Sequence, residues 1–263
     1  MPEDLLKNYL TLRRARHERD RRGLFVIEGV GHFVAAVDAG ATLRTILHCP
    51  RLLTSPVAQK LVRHRRRAGD RTVKLSPEAF RSLSSAPRAS GVAAIVEQAV
   101  VPVEEVDPAD GLFWLVLESI RSHGNLGTLL RTSAALGGGG VMIVDGAGGG
   151  TVDPFDPAAV RASMNALFRQ QIVRTDLPRL RRWVERHGLQ LVGTDSHGAI
   201  PFDRRSYHPS TLIALGDERT GLSERLAAAC DATVRIPMRP RSDSLNLGVA
   251  GSLVMYAAAA GMG

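Results

Sequence analysis

The chain has 263 residues, enough for one large domain or two ordinary ones whose interior needs no covalent staple. Its two cysteines, Cys49 and Cys230, stand alone without CxxC spacing or a histidine cluster, which excludes a disulfide framework and leaves no metal site expected. The formal net charge of +8 is unevenly placed: residues 1–98 hold 18 Lys+Arg against 9 Asp+Glu, whereas residues 99–263 hold 16 against 17.

A basic module joined to a neutral one reads as a polyanion grip attached to something else, because clustered Lys and Arg displace counterions condensed on a phosphate backbone. No apolar run is long enough to span a bilayer, and the opening MPEDLLKNYL is acidic where a signal peptide would be basic. A cytoplasmic protein with no membrane association is therefore expected.

In chain order, LLKNYLTLRRARHERDRR has a narrow apolar stripe and then charge at nearly every position, as in a helix around which Arg13, Arg14, Arg16, Arg19, Arg21 and Arg22 fan out. A strand over 24–27 and a helix over 31–39 ended by Gly40 follow. Then come strand TILHC, helix VAQKLVRHRRR, strand TVKL, a helix opened by Ser76-Pro77-Glu78, and strand GVAAIVE. This alternation predicts a small α/β domain over residues 1–98. Residues 99–110, with two prolines and a shift to acidic residues, read as a linker.

Downstream the alternation resumes with longer apolar strands, LFWLVLE, VMIVD, QIV, LQLVGT, TLIALG and TVRIPM, as in a parallel sheet covered on both faces over residues 111–263. Helices are predicted from Asn125 to Leu136, from a cap at Asp156-Pro157, and from about Ser244 to Ala260. The glycine runs 137–140 and 146–150 lack GxGxxG spacing between a strand and its helix, and no GxxxxGK[ST] occurs, so neither a dinucleotide fold nor a P-loop is supported.

Three segments stand out: Asn125-Leu-Gly127-Thr-Leu-Leu-Arg131-Thr132, Leu215-Gly216-Asp217-Glu218-Arg-Thr-Gly221-Leu222, and Ile236-Pro237-Met238 with Ser244-Leu245-Asn246. On spacing alone Asn125 is an ordinary helix cap and Arg131 a helix-face residue. Asn246 likewise reads as a cap, and Glu218 as a loop carboxylate. In order and spacing, however, the three resemble the motifs of the SpoU (TrmH-like) family of RNA 2'-O-ribose methyltransferases. Phe25-Val-Ile-Glu28-Gly29 and Gly91-Val-Ala-Ala-Ile-Val are similar to the L30e-like substrate-binding domain that many of these enzymes carry.

The resemblance implies an α/β fold with a C-terminal parallel-sheet SPOUT domain, a deep trefoil knot and a preceding small L30e-like α/β domain. It implies S-adenosylmethionine as methyl donor, a homodimer, and RNA as partner, with 23S rRNA favoured over tRNA. Carried onto this chain, the catalytic positions are Asn125, Arg131, Glu218 and Asn246. The cofactor positions are Thr194, Leu215, Gly216, Ile236, Met238, Ser244, Leu245 and Asn246. Arg131 is expected inside the first-motif helix facing the site. As a free base an Arg is very poor, so phosphate clamping and hydroxyl orientation suit it better. Glu218 is expected to orient Asn125 or the ribose.

Arg13, Arg14, Arg16, Arg63, Arg65 and Arg66 are the expected RNA contacts. The small-residue stripe Ala250, Gly251, Val254, Ala257 and Ala258 is the expected site of close helix approach in the dimer. The stretch Arg161-Ala-Ser163-Met-Asn165 resembles a family segment near the active site that often has Gly at position 165. The family also commonly has Asp-Pro shortly before the first-motif Asn, where this chain has Ser122-His123-Gly124. His123 in that loop is more readily a solvated or RNA-contacting residue than a general base. The Arg-dominated, Ala/Gly-rich composition is typical of a high-GC actinomycete, a group in which avilamycin-type self-resistance enzymes of this family act on 23S rRNA. The competing readings are a tRNA 2'-O-methyltransferase, a base-methylating knotted relative, and a non-catalytic RNA-binding or ribosome-assembly factor.

Overall fold

A computed structural model describes residues 2–144, 150–239 and 244–262. Of the second glycine run only Gly150 falls within the described residues. The chain forms two compact units: residues 1–99 with 155–168, and residues 100–154 with 169–263.

The first unit opens with α1 (Pro2–Arg14) and α2 (Arg16–Arg22), then β1 (Leu24–Glu28), α3 (Val30–Asp38), β2 (Leu43–His48), α4 (Pro56–Arg67), β3 (Thr72–Lys74), α5 (Pro77–Leu83) and β4 (Val92–Glu97). Ser55 and Ser76 cap α4 and α5, each followed by a proline that needs no donor in the first turn. The strands form one sheet in the order β1-β4-β2-β3, antiparallel except for the parallel β2–β3 pair. Alternation along β1 sends Val26 toward Leu5, Tyr9 and Leu12 of α1. Phe25 packs instead against Phe155 and Phe168, with ring centroids 5.0 and 6.3 Å away.

The expected single N-terminal helix is broken at Ala15, whose backbone is extended. The reason is Arg19. Its guanidinium is buried, donating from Nη1 to the Leu12 and Arg13 carbonyls at 2.9 and 3.3 Å and from Nη2 to Asp156 at 2.9 Å. Arg19 therefore does not join a solvated fan of arginines, because the carbonyls at the end of α1 and a distant carboxylate enclose it.

In the second unit β5 (Val100–Val101) and two 3-10 turns, Val103–Glu105 and Pro108–Asp110, precede β6 (Phe113–Glu118). The stretch read as a linker thus contributes an edge strand, and Val103 and Val106 are buried in the core. After α6 (His123–Ala135) and β7 (Gly140–Val144), the short α7 (Pro157–Ala162) belongs to the first unit. Then follow β8 (Gln171–Thr175), α8 (Leu177–His187), β9 (Leu191–Thr194), β10 (Ile200–Pro201), β11 (Thr211–Leu215), α9 (Glu224–Ala229), β12 (Ala232–Arg235) and α10 (Leu247–Ala260).

The eight strands are all parallel, in the order β10-β12-β9-β11-β6-β7-β8-β5. The central strands β6, β7 and β11 are buried at every position, as a parallel sheet covered on both faces requires. Trp114, Val116 and Leu212 meet Leu180 and Trp183 of α8 and Leu226 of α9. From α10, Gly251 seats against Leu129 of α6 and Leu215, where an added Cβ would lie 2.5 and 2.9 Å from their side chains. The small residues on α10 thus serve packing within the chain: Gly251, Val254 and Ala258 are buried. Ala250 and Ala257, the other residues of the expected stripe, are half-buried. The exposed face of α10 carries Val249, Leu253 and Tyr256 instead, at 47, 39 and 66% exposure.

Candidate active site

Because every strand of the large sheet runs the same way, the loops after β9, β11 and β12 emerge along one edge, where ligands of open parallel sheets bind. Together with the start of α10 they enclose a cavity of about 320 Å³, within the range of small-molecule sites. Ile236, Met238, Leu245, Leu247, Ala250 and Val254 supply apolar wall, and the turns at 194–197 and 217–221 supply polar groups. This mix suits a flat heteroaromatic ring beside a polar tail, which is the chemistry of an adenosyl cofactor.

Of the expected cofactor residues, Thr194, Ile236, Met238, Ser244 and Leu245 line the cavity. Leu215, Gly216 and Asn246 do not; Leu215 is buried beneath, against Gly251. Gly216 acts one step removed: a Cβ there would stand 2.1 Å from the Gly221 carbonyl oxygen, so only glycine lets the 216–221 turn close. Asp195, Ser196, His197 and Thr220 also line the cavity and were not anticipated. Thr220 falls within the second motif, whereas Asp195, Ser196 and His197 follow a strand with no motif of their own, and only the rule that loops at strand C-termini bind ligands points to them.

The second-motif turn is closed by paired backbone bonds between Asp217 and Gly221 at 2.9 and 3.0 Å, with Gly221 at φ +73°. The Asp217 carboxylate accepts from the Arg219 and Thr220 backbone N–H groups at 2.8 and 3.1 Å and from Arg121 Nε at 2.6 Å. The Arg219 N–H first, and then the Arg121 guanidinium and the Thr220 N–H, hold its pKa down to about 2. Glu218 points toward the first motif. Its carboxylate accepts from the backbone N–H of Arg121 and Ser122 at 3.3 and 3.2 Å and from Asn125 Nδ2 at 3.1 Å.

Ser122, not Asn125, caps α6, its hydroxyl accepting from the Asn125 N–H at 3.2 Å. The helix thus starts at His123 and Asn125 sits inside its first turn, buried, with its side chain free of the capping task. That side chain is bound twice, donating to Glu218 and accepting at Oδ1 from Asn246 Nδ2 at 2.9 Å. Asn246 caps α10 through its Oδ1, which accepts from Val249 N at 3.3 Å. The cap and the network bond coexist on one side chain, because an amide both donates and accepts.

Arg131 is not brought into this network. It lies exposed on α6 and forms no hydrogen bond or ion pair among the described residues. Ser163 and Asn165 lie in the first unit, where the Ser163 hydroxyl is buried and donates to the Val160 carbonyl at 2.8 Å. Asn165 adopts φ +77°, a left-handed conformation that favours glycine, and Asn is among the few side chains that tolerate it. Of the six arginines expected on RNA, Arg14, Arg16, Arg63 and Arg66 are exposed. Arg13 donates to the Leu83 carbonyl at 2.6 Å, Arg16 pairs with Asp20 at 3.3 Å, and Arg65 pairs with Asp70.

The sequence profile of the SpoU rRNA methylase family matches residues 112–256, and that of an MRM3-like substrate-binding domain matches residues 5–94. A 23S rRNA uridine 2'-O-methyltransferase of Streptomyces viridochromogenes is 30% identical over 250 residues, covering 92% of this chain and 85% of the relative. Among solved structures, the SpoU methyltransferase AviRb of that organism bound to S-adenosylmethionine superposes with a TM-score of 0.87 at 28% identity, over 97% of this chain and 96% of AviRb. A cofactor-bound rRNA methyltransferase from Sinorhizobium meliloti gives 0.86 at 28% identity, over 97% and 93%. On the match of the methylase profile to residues 112–256, more than half of the chain, and of a relative to nearly the full length, this chain belongs to the SpoU rRNA methylase family.

Proposed function

We propose that this protein is an S-adenosylmethionine-dependent RNA 2'-O-ribose methyltransferase acting on 23S rRNA. The observation that carries the reading is the convergence of Asn125, Glu218 and Asn246 in one hydrogen-bonded network beside a cavity built from the strand-ending loops. The 23S rRNA assignment draws on the named activity of the Streptomyces viridochromogenes relative.

The cofactor supplies a methyl group carried on a positively charged sulfur. With the cofactor bound, the ribose 2'-oxygen would take that methyl as the carbon–sulfur bond breaks and the neutral thioether leaves, the hydroxyl proton passing to solvent or a nearby acceptor. Such an in-line displacement depends on positioning. Ile236, Met238 and Leu245 would hold the adenosine against apolar wall and exclude water. Glu218, anchored by two backbone N–H groups, fixes the Asn125 amide, and Asn246 locks its other end, so this network orients the attacking hydroxyl. Arg131, exposed and unpaired among the described residues, is suited to clamp the neighbouring phosphate.

The working form is a homodimer docked through the exposed α10 face of Val249, Leu253 and Tyr256, an apolar row that a monomer leaves in water. The family's trefoil knot is part of the same proposal and rests on membership of the family. The basic first unit, with exposed Arg14, Arg16, Arg63 and Arg66, would grip the RNA. No helix among the described residues is long and apolar enough to cross a membrane, and a cytoplasmic location fits a ribosomal substrate. The test is incubation with ribosomal RNA and S-adenosylmethionine followed by nucleoside mass spectrometry. A 2'-O-methylnucleoside is expected, whereas cofactor binding without any methylated nucleoside would favour a non-catalytic RNA-binding factor.

A further inference from the structure

The first unit contains a cleft of about 70 Å³ outside the candidate active site, walled by α1, β1, the turn after α5 and α7. Its floor is apolar, from Val26, Ile27, Pro157 and Val160. Its rim mixes acceptors and donors. The Glu28 carboxylate is held in one orientation by the Ser84 hydroxyl and by the Ser85 N–H and hydroxyl at 2.9 and 3.3 Å. A carboxylate offers about four acceptor positions, so these three bonds leave one open on Oε1.

Arg161 reaches Ser85 Oγ at 3.2 Å with the rest of its guanidinium exposed, and Arg13 is fixed by the Leu83 carbonyl at 2.6 Å. Glu28, Arg13 and Arg161 line this cleft together with the buried Tyr9. His32 completes the wall. Burial, opposed by the Asn165 amide and reinforced by the Arg161 guanidinium, holds its pKa below the ordinary value. His32 Nδ1 and Asn165 Oδ1 are buried without hydrogen-bond partners.

A phosphate seat would be lined by donors alone, and a fixed carboxylate facing it would repel the ligand. Mixed donors and acceptors over an apolar floor are what direct readout of a base edge uses, and sequence-specific RNA binding is directed at unpaired bases. The cleft is too small for a whole nucleotide and admits only an edge. We propose that this cleft reads the edge of one unpaired base of the RNA substrate, with Glu28 accepting from a ring or amino N–H, Arg161 donating to a ring acceptor, and the sugar-phosphate remaining outside. The proposal rests on RNA being the substrate, and it makes residues 155–168 part of substrate selection, since α7 contributes Arg161.

The sign of one substitution separates the two ligand chemistries. Glu28→Gln in the full-length protein removes a negative charge, so a phosphate seat would bind RNA more tightly and a base-edge seat more weakly. With a 23S rRNA transcript, we expect Glu28→Gln and Arg161→Ala each to raise the KM for RNA at least fivefold, with S-adenosylmethionine affinity retained. Chemical probing of base edges should find one unpaired base protected by the wild type and reactive with both variants. Arg161 is exposed, so Arg161→Ala keeps the test valid should Glu28→Gln fold poorly. A KM that falls or stays constant in Glu28→Gln, or the same protection pattern in Arg161→Ala as in wild type, overturns the inference. If the wild type neither binds nor methylates the transcript, the RNA reading itself fails and this inference with it.

Discussion

The Asn246 side chain donates from Nδ2 to Oδ1 of Asn125 at 2.9 Å, tying together the first turns of two helices across 121 positions of sequence. Each asparagine has its amide bound on both sides, Asn125 to Glu218 and Asn246 to its own helix. Removing either leaves a polar partner without its bond. Asn246→Ala is expected to abolish methyl transfer while costing about 1 kcal/mol of stability from the missing cap, still leaving a folded protein. Steady-state methylation and thermal unfolding check this together.

Arg131→Ala is expected to abolish turnover as well but to spare cofactor affinity, since Arg131 is exposed and outside the cavity. Asn246→Ala should weaken S-adenosylmethionine binding more, through the neighbouring cavity residues Ser244 and Leu245. Isothermal calorimetry on the two variants decides the ranking, and near-normal turnover in both would remove the site assignment.

Asp217 gives a pH signature. Its carboxyl is held at about 2, below the ordinary 3.8, by N–H groups and Arg121 that stabilise the charged form. A depressed carboxylate contributes stability that is full above the unfolded value and lost as pH falls from about 4 through about 2. Asp217→Asn should remove about 1–2 kcal/mol at neutral pH and flatten the stability profile across that acid window. Urea unfolding at several pH values measures it.

What could be read from residues alone follows physical lines. Strands β6 and β11 were legible because burial on both faces demands unbroken apolar runs, and the caps Asp156 and Ser76 because side chains that accept backbone N–H groups announce helix starts. The start of α6 was misplaced by two residues, since Ser122 and Asn125 are both acceptable caps and only geometry chooses. Arg19 could not be read as buried, because its carboxylate partner lies 137 residues away. Composition identified α10 as tightly packed but could not say which neighbour its small face meets; that face meets α6 and β11. Asp195 and His197 carry no pattern, and strand order alone brings them to the cavity.

The exposed row on α10 predicts the assembly. Leu253→Asp with Tyr256→Asp should give a folded monomer, because both side chains lie on the outer face of the helix. Light scattering at micromolar concentration should show a wild-type dimer and a variant of half its mass with little activity. A fully active wild-type monomer would contradict the dimer.

RNA affinity should reside in the exposed arginines of the first unit. Deleting residues 1–98 is a poor probe, because Phe155 and Asp156 would lose Phe25 and Arg19. Reversing Arg63 and Arg66 to Glu is cleaner, as both are exposed on α4. The slope of log affinity against log salt should become shallower by about 0.7–0.9 for each phosphate that the variant no longer neutralises, with cofactor binding unchanged.

The chemistry of the product tests the central claim most directly. A methyl group on the ribose removes the hydroxyl that attacks the neighbouring phosphate, so the modified linkage survives alkali. Ribosomal RNA methylated by this protein with methyl-labelled S-adenosylmethionine and digested in alkali should place the label in a single resistant dinucleotide. Label recovered in mononucleotides, and no resistant dinucleotide, would contradict ribose methylation.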